Sequence, residues 1–219
     1  MNESPIFFAA VGDIHGHVHR MVELVTEIAQ KAGVSISFVL QVGDFQPIRN
    51  ETDLESMPCP QKYREIGDYP DFDSGKSLFP WPIYFIGGNH EPFIYLDTMP
   101  TGGELTRNCY YLGRAGFIHL HGLRVAGLTG IHSLEYFLEN HPNVKRILLT
   151  KKKLYSYFNK WDIQRLLSYV NVDILLTHDW PKNIGQPDIE IKKRRISSGQ
   201  SFGNEYVNLL IERLEPKLT

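Results

Sequence analysis

The chain has 219 residues, of which 42% are hydrophobic and 22% are charged, and its formal net charge is -2 at pH 7. A chain of this length and composition can bury one sizeable core, which excludes a disordered or fibrous protein. Its two cysteines argue against a disulfide framework, and a net charge near zero excludes a general attraction to nucleic acid, so any such attraction must come from local basic patches.

Neither a membrane-spanning segment nor a secretion signal is visible in the sequence. No run of about 18 apolar residues occurs, and Asn2, Glu3 and Pro5 do not form the basic start of a signal peptide. We therefore expect a soluble, intracellular protein, cytoplasmic or nuclear, with no membrane contact and no obligate protein partner.

The first predicted strand covers residues 7–11 and is followed by Gly12, Asp13, Ile14 and His15. An Asp and a His separated by one residue project to the same side of the strand end, where both can bind a metal ion. An Asp at such a position is also a common turn former or helix N-cap, and a His there can be a hydrogen-bonded surface group. This segment alone leaves both interpretations open.

The next elements predict a parallel sheet. Apolar residues recur at helical spacing from about residue 19 to Ala32, and Gly33 ends this predicted helix. Residues 38–42 then form an apolar strand that leads to Asp44. Strand, helix and strand in this order are typical of a βαβ unit with parallel strands.

The segment from residue 45 to 81 is rich in Pro, Asp and Gly and is predicted to be irregular. A loop of this length inside a compact domain is either functional or disordered. Residues 83–86 form the next predicted strand, which is followed by two glycines and then by Asn89 and His90.

An antiparallel set of strands is predicted for the middle of the chain. It consists of residues 109–112, 116–120 and 123–128, with a turn at His121 and Gly122 between the last two strands.

Residues 132–165 combine many lysine and arginine residues with aromatic residues. One interpretation is a solvated helix face whose aromatic side chains lie in the core. The other is a surface that neutralises phosphates and stacks on bases. A second basic run, residues 192–195, is predicted to lie in an exposed loop before a last helix from about Asn204 to Leu214.

Four predicted strands end in potential metal ligands, because residues 172–176 also form an apolar strand and lead to His178. In open α/β sheets the functional crevice lies outside the carboxyl ends of the strands, so these four ends can converge. A carboxylate shared by two cations, with nitrogen or amide ligands on each side, is typical of a two-metal hydrolytic site.

We predict that Asp44 bridges two divalent metal ions, which could be Mn, Fe or Zn. The predicted metal ligands are Asp13, His15, Asp44, Asn89 and His178. The first two ligands would hold one ion and the last two the other. His90 is next to a ligand but is not needed as one, and we predict that it is the general acid that protonates the leaving oxygen.

The ordered pattern of Asp-x-His, Gly-Asp, Gly-Asn-His-Glu and a strand-end His resembles that of the calcineurin-like metallophosphoesterases. The resemblance implies an α/β fold, a β-sandwich flanked by helices, formed by residues 1–219 as a single domain. It also implies hydrolysis of phosphomonoesters or phosphodiesters with the help of two divalent metal ions.

Within this superfamily, the RNA lariat debranching enzymes are the branch that this chain resembles best. The motifs that carry this resemblance are Gly43-Asp44-Phe45-Gln46, residues 49–54, 62–64, 85–91 and 110–113, and His178-Asp179-Trp180-Pro181. It runs from about residue 6 to 182 and implies a metal-dependent phosphodiesterase that cleaves a 2′-5′ linkage in RNA. By position, it also favours RNA contact by residues 132–161.

Two departures from the family pattern limit this resemblance. The debranching enzymes usually carry a cysteine at the position of Asp13, and the superfamily supplies two further ligands from a C-terminal Gly-His-x-His segment that we expect this chain to lack. About three protein ligands for each ion then predict weak metal affinity and low activity. His119 and His121 have the spacing of the missing pair, but they lie at a predicted hairpin turn where the family has no ligand.

Two other functions stay open. The chain could be a metallophosphoesterase for nucleotides or other phosphoesters, although Asp44 is not followed by the Asp-Arg-Gly triplet that protein phosphatases carry at this place. It could also be a truncated, non-catalytic protein that binds RNA.

Overall fold

The computed structural model describes residues 5–141, 149–182 and 203–219. The predicted basic run at residues 192–195 lies outside these ranges, as do residues 142–148 of the stretch that is rich in aromatic and basic residues.

Five strands form the first sheet. Their bounds are β1 Phe7–Val11, β2 Ile36–Gln41, β3 Ile83–Phe85, β4 Gly103–Thr106 and β5 Cys109–Tyr111. Their order across the sheet is β1-β2-β3-β5-β4, and all pairs are parallel except that between β4 and β5. Helix α1, Val18–Ala32, connects β1 to β2, which confirms the predicted βαβ unit.

Three strands form the second sheet, in the order of their numbers: β6 Ala115–Leu120, β7 Leu123–Leu128 and β8 Ile174–Thr177. The antiparallel hairpin of β6 and β7 has its turn at His121 and Gly122, as predicted. Both turn residues have a positive φ, 48° and 83°, which is typical of the tight turns that suit the twist of a hairpin. β8 pairs parallel to β7.

The prediction that residues 109–112 belong to the antiparallel set with β6 and β7 was wrong. Strand β5 pairs parallel with β3 in the first sheet and antiparallel only with β4. The side chains of Cys109 and Tyr111 are buried in the cluster that contains Phe85 and Tyr69, on the helix side of the first sheet. Residues 112–114 then carry the chain over to the second sheet.

The two sheets pack face to face as a β-sandwich. The cluster between them contains residues of both sheets, namely Phe38, Leu40, Ile86, Leu112, Leu120, Val125, Ile174 and Leu176. Val39 alternates with Phe38 and Leu40 along β2 and points to the other face, where it packs with Val18 and Met21 of α1. The fold is therefore the predicted α/β sandwich flanked by helices.

Residues 45–81 are more regular than predicted. They contain helix α2, Glu51–Ser56, helix α3, Tyr69–Asp73, and a single 3-10 turn at Gln61–Tyr63. The Asn50 side chain accepts a hydrogen bond from the backbone N–H of Asp53 and so caps α2. These elements are too short to show a helical repeat in the sequence, which explains why the prediction missed them.

Three further α-helices, α4 Phe93–Leu96, α5 Lys160–Leu167 and α6 Glu205–Leu214, and a 3-10 stretch at Leu149–Ser156 complete the described structure. Helix α6 confirms the helix predicted near the C-terminus. Leu166 of α5 and Leu210 of α6 pack with Ala126 and Leu175 over the outer face of the second sheet. Among the described residues, no helix has both the length and the hydropathy that crossing a lipid bilayer requires.

Candidate metal centre

The residues predicted to form the site meet at the carboxyl ends of four strands. Asp13 follows β1, Asp44 follows β2, Asn89 and His90 follow β3, and His178 follows β8 of the second sheet. The site therefore lies where the two sheets of the sandwich come together at one edge.

Asp44 is at the centre of the group and is almost completely buried. Its Oδ2 lies 3.8 Å from Nε2 of His15, and its Oδ1 lies 3.8 Å from Nε2 of His178. Nε2 of His178 is also 3.0 Å from Oδ1 of Asn89. The structure thus places one carboxylate between two imidazoles, which is the arrangement that the sequence predicted.

Asp13, His15 and Asp44 form a compact cluster of potential ligands. One oxygen or nitrogen atom from each of them lies within 4.8 Å of the corresponding atoms of the other two. Asp13 and His15 are exposed, whereas Asp44 is buried, so the cluster opens to solvent on one side.

The backbone around this cluster is held in an unusual conformation. Asp13, His15 and Asp44 have left-handed backbones, with φ of 52°, 47° and 51°. Each such residue costs of order 1 kcal/mol or more and persists only when the surroundings hold it in place. Here the loops after β1 and β2 are joined by hydrogen bonds from the N–H of Asp13 to the carbonyl of Gly43, 3.1 Å, and from the N–H of His15 to the carbonyl of Asp44, 2.9 Å.

Two glycines allow the loops after β2 and β3 to approach each other. A Cβ atom on Gly88 would lie 2.2 Å from Oδ1 of Asp44 and 2.8 Å from Cε1 of His178. A Cβ atom on Gly43 would lie 2.5 Å from Nδ1 of His178. The glycines in the Gly-Asp and Gly-Asn-His-Glu motifs are therefore explained by the close packing of the groups around Asp44.

Glu91 is a structural residue of the site whose role the sequence interpretation missed. Its fully buried carboxylate accepts hydrogen bonds from the backbone N–H groups of Phe45, 2.9 Å, Gln46, 2.8 Å, and Gly88, 3.1 Å. Burial and the neighbouring charge of Asp44 raise the pKa of Glu91, while these three N–H groups favour its ionised form. Its position at the end of the Gly-Asn-His-Glu motif was the feature that could have identified it.

The hydrogen bonds of His178 fit a cation next to it. Its Nδ1 lies 3.0 Å from the carbonyl oxygen of Val42, an acceptor, so Nδ1 carries a hydrogen, and in the neutral ring the lone pair is on Nε2. This lone pair faces Oδ1 of Asn89 and Oδ1 of Asp44. Three electron-rich atoms that face one another repel unless a cation lies among them, so the residues present fit a metal ion.

His90 lies beside the predicted metal ligands but is not one of them. Its backbone N–H donates to Oδ1 of Asp44 at 2.8 Å, and its ring centroid is 6.1 Å from that of His15. Burial lowers the pKa of His90, and the negative charge of Asp44 opposes this effect. When protonated, His90 is therefore a stronger acid than a free imidazole.

A cleft of about 420 Å³ extends from the rings of His15 and His90. Its other lining residues include Gln46, Cys59, Lys62 and Glu65, most of which belong to the segment between β2 and β3. The segment that was predicted to be irregular thus forms part of the lining of the cleft.

The remaining histidines of the predicted alternatives lie elsewhere. His121 stacks on Phe38 at the hairpin turn, with ring centroids 5.6 Å apart, and His119 packs against Phe117 at 5.1 Å. Neither belongs to the cluster of potential metal ligands found among the described residues.

The stretch rich in aromatic and basic residues has both buried and exposed aromatic side chains, and its contact with RNA stays a prediction. Tyr155 and Phe158 are buried in the core, whereas Trp161 is 51% exposed and has the ammonium of Lys160 4.5 Å from its ring centroid. Trp180, which follows the predicted ligand His178, is also exposed.

Comparison with known proteins agrees with this geometry. The family model for the calcineurin-like phosphoesterases matches residues 8–217. The lariat debranching enzyme of Danio rerio is 32% identical in an alignment that covers 95% of this chain and 38% of the relative. That of Arabidopsis thaliana is 31% identical in an alignment that covers 95% of this chain and 52% of the relative. The lariat debranching enzyme of Entamoeba histolytica is 32% identical over 220 residues, and the chain covers 61% of it.

The chain thus spans between about a third and three fifths of the length of the curated relatives that it matches. The family model extends over almost all of the two sheets, and the motifs of the family converge around Asp44. The chain therefore belongs to the calcineurin-like phosphoesterase family.

Proposed function

We propose that this chain is a metal-dependent phosphodiesterase that acts on RNA, with the 2′-5′ linkage of branched RNA as its substrate, and that residues 1–219 act in it as a single domain. The observation that carries this proposal is the position of Asp44, whose two carboxylate oxygens each lie 3.8 Å from an imidazole nitrogen. The similarity to lariat debranching enzymes favours RNA over other phosphodiesters. Two free, buried cysteines suit the reducing conditions inside a cell, where such RNA occurs.

The family implies divalent metal ions, and we propose that the chain holds two of them. Asp13, His15 and Asp44 would bind one ion, and Asp44, Asn89 and His178 would bind the other. Carboxylate oxygens, an amide oxygen and imidazole nitrogens together suit Mn, Fe or Zn. When bound, such ions stabilise negative charge on phosphoryl oxygens and make water a stronger nucleophile at neutral pH.

His90 provides the proton in the proposed reaction. A water oxygen forms a bond to phosphorus on the side opposite the leaving oxygen, and the bond between phosphorus and the leaving oxygen breaks. The electron pair of that bond remains on the leaving oxygen, which takes a proton from the imidazolium of His90. The attacking water releases one of its two protons to solvent, and the neutral His90 takes up a proton from solvent before the next turnover. The products are a phosphomonoester and a free hydroxyl, so atoms and charge balance.

The test uses the full chain with added manganese and four substrates. These are a branched RNA with a 2′-5′ linkage, a linear RNA of the same composition, bis(p-nitrophenyl) phosphate and p-nitrophenyl phosphate. We expect both the branched RNA and the bis(p-nitrophenyl) diester to be cleaved faster than the monoester. We also expect Asp44→Asn to lower kcat/KM by about 100-fold or more and to reduce the measured metal content.

Asp71→Asn is the matched control, because Asp71 is a carboxylate on α3 whose partners are Lys76 and His19 on the surface. It should leave metal content and kcat/KM within about twofold, as expected for a surface ion pair. Cleavage of the monoester alone, or full activity of Asp44→Asn, would show that the proposed phosphodiesterase function is wrong.

A further inference from the structure

Helix α1 begins directly after the turn that carries Asp13 and His15, and it does not cap its own first turn. His17 is at the N-cap position, but among the described residues its side chain accepts no capping hydrogen bond, and the first turn has no acidic residue. The first N–H groups of a helix have no partner inside the helix, and the positive end of the helix dipole lies beside them. An acceptor from another part of the chain can therefore stabilise this helix end.

Asp68 provides this acceptor, although it lies 50 positions further along the chain. Its Oδ1 accepts a hydrogen bond from the N–H of Val18 at 2.6 Å, and its Oδ2 accepts one from the N–H of His19 at 3.1 Å. Both carboxylate oxygens thus cap α1, and their negative charge lies at the positive end of the helix dipole.

The direction of the Asp68 side chain is unusual for its position. Asp68 is the N-cap residue of α3, Tyr69–Asp73, yet within the part of the chain that the structure describes it forms no capping hydrogen bond to that helix. An Asp at an N-cap normally accepts from the N–H groups of its own helix. Here the carboxylate joins the start of α3 to the start of α1 instead.

The backbones of the two segments are also in direct contact. The N–H of Asp68 donates to the carbonyl of Gly16 at 3.1 Å, and a Cβ atom on Gly67 would lie 2.6 Å from the same carbonyl oxygen. The N–H of Gly16 donates to the carbonyl of Phe45 at 3.2 Å. The turn before α1 is therefore held by the loop after β2 on one side and by Asp68 on the other.

The backbone that carries Asp68 is itself well anchored. Tyr69 and Phe72 of α3 are buried in the same cluster as Val18. The ring of His19 lies 4.8 Å from that of Phe72, measured between centroids. The carboxylate that caps α1 thus starts from a backbone that the core fixes in place.

The turn that this cap holds is strained. Asp13 and His15 have left-handed backbones, with φ of 52° and 47°, and such residues persist only when their surroundings hold them. A first turn of α1 that lost its cap would fray, and the residues directly before it would gain freedom to leave this conformation. The potential ligands would then be less often in the geometry that binds an ion.

We propose that Asp68 is a positioning residue that holds Asp13 and His15 in place to bind the first metal ion. The inference rests on the proposed function, in which these two residues and Asp44 bind that ion. Asp68 does not belong to the cluster of potential ligands found among the described residues, and its carboxylate faces the helix end. Its removal would leave every predicted ligand in the chain and act on one of the two ions.

The first experiment measures metal binding without substrate. Manganese is titrated into the metal-free full chain and into Asp68→Ala, and the heat is measured by calorimetry. We expect Asp68→Ala to weaken the binding of one ion by about fivefold, the change in a binding constant that corresponds to the loss of one helix cap, and to leave the other within about twofold. Equal affinities of both proteins for both ions would overturn the proposal.

Two further variants separate the cap from the rest of the Asp68 side chain. Asp68→Asn retains an oxygen that can cap α1 and should keep the manganese affinity within about twofold of the unchanged chain. Asp68→Glu retains the charge but moves the carboxylate by one methylene, so we expect the same loss as in Asp68→Ala. If circular dichroism shows that Asp68→Ala is unfolded, Asp68→Glu takes its place in the test. Full affinity of a folded Asp68→Glu then contradicts the proposal.

Asn159→Ala is the matched control. Asn159 caps α5 by accepting hydrogen bonds from the N–H groups of Trp161 and Asp162, at 3.0 Å and 3.2 Å, and this helix carries none of the predicted ligands. Both alanine variants should lower the midpoint of urea unfolding, but only Asp68→Ala should bind manganese more weakly. An equal loss of manganese affinity in both variants would be an effect of general stability and would contradict the positioning role.

The second experiment separates this inference from the proposed function. It measures hydrolysis of bis(p-nitrophenyl) phosphate as a function of manganese concentration. We expect Asp68→Ala to need about fivefold more manganese for half-maximal activity and to reach a kcat within about twofold of the unchanged chain at saturation, because all predicted ligands remain. An equal manganese requirement in two active proteins overturns the positioning role alone. If neither protein cleaves the diester, the proposed function fails, and the manganese titration still decides the role of Asp68.

Discussion

At the scale of single residues, the orientation of His15 depends on Gln46. The side-chain amide of Gln46 lies 2.9 Å from Nδ1 of His15, and with its oxygen turned to this nitrogen it accepts the Nδ1 hydrogen and leaves Nε2 for a metal ion. The backbone N–H of Gln46 donates to the carboxylate of Glu91. Gln46 is buried and has a left-handed backbone with φ of 58°, so its side chain has little freedom to move. Partners of this kind, which bind the second nitrogen of an imidazole, set the ring orientation and the tautomer.

We predict that Gln46→Leu lowers manganese affinity by about 10-fold to 100-fold, because the ring of His15 loses its partner. Isothermal calorimetry of manganese binding checks this prediction. Gln30→Leu on the exposed side of α1 is the matched control and should bind manganese like the unchanged chain. Equal affinities for the two variants would show that Gln46 does not position His15.

A second prediction at this scale concerns Gly88. Its substitution by alanine would place a methyl group 2.2 Å from Oδ1 of Asp44, in a place where the surrounding groups cannot all move away. We expect Gly88→Ala to lower the free energy of unfolding by about 1–3 kcal/mol, the usual cost of overpacking, and to weaken metal binding. Urea unfolding and metal titration measure the two effects.

Gly12→Ala is the control for this substitution. Its added methyl group would contact a single side-chain atom, Cγ2 of Val42, at 2.9 Å, whereas that of Gly88 would meet two groups of the candidate centre. Its effect should be smaller than that of Gly88→Ala, and the reverse order would contradict the proposed close packing at Asp44.

At the scale of elements, one buried ion pair joins the helix after β3 to the start of the second sheet. Nε of Arg114 donates to Oδ1 of Asp97 at 2.6 Å, a second nitrogen of the guanidinium contacts Oδ2, and the guanidinium lies over the ring of Phe93 of α4. Both charged groups are almost completely buried, so either would be left unpaired in the core if the other were removed.

We predict that Arg114→Met lowers the free energy of unfolding by about 3–5 kcal/mol, since Asp97 would remain as a buried charge without its partner. Arg20→Met provides the comparison, because the ion pair of Arg20 with Glu23 is exposed and should contribute little to stability. Denaturant unfolding of both variants measures the difference, and similar losses would contradict the buried role of Arg114.

A second element-scale feature is the clamp around Asp173 at the start of β8. Its carboxylate accepts hydrogen bonds from Nε of Arg124 at 2.9 Å and Nζ of Lys217 at 2.8 Å. Its carbonyl oxygen accepts from the N–H of Lys217 at 2.9 Å, and Leu218 forms a bridge with Ile174. The last residues of the chain are thereby attached to the second sheet.

The hydrogen bond from Arg124, followed by that from Lys217, holds the pKa of Asp173 well below its usual value of 3.8. A carboxylate with a depressed pKa in the folded state stabilises the fold above the unfolded pKa, and this stabilisation is lost as pH falls towards the folded pKa. We therefore predict that Asp173→Asn is less stable than the unchanged chain at pH 7, and that the difference becomes smaller below about pH 4. Urea unfolding of both proteins at several pH values tests this, and a difference that does not depend on pH would contradict it.

At the scale of the whole molecule, the parts that could be predicted from the sequence are those with a repeating pattern or a local motif. The periodicity of α1, the apolar strands β1 and β2 and the turn at His121 were all predicted correctly. The convergence of Asp13, Asp44, Asn89 and His178 followed from a rule about parallel strands and needed no knowledge of side-chain positions.

The other parts depend on contacts that local sequence does not contain. Whether β5 joins the first or the second sheet is decided by the packing of Cys109 and Tyr111 against Phe85 and Tyr69, far away in the chain. The role of Glu91 depends on three N–H groups of two different loops, which become neighbours only in the folded chain. The left-handed backbones that present the potential ligands are likewise a result of the completed fold.

The candidate centre draws residues from both sheets, since His178 follows β8 whereas Asp13, Asp44 and Asn89 follow strands of the other sheet. A folding intermediate with only the larger sheet formed would carry three of these four side chains and lack the fourth. We therefore expect the proposed hydrolytic capacity to require both sheets of the sandwich. The proposed cleavage of RNA would then be confined to the completely folded chain.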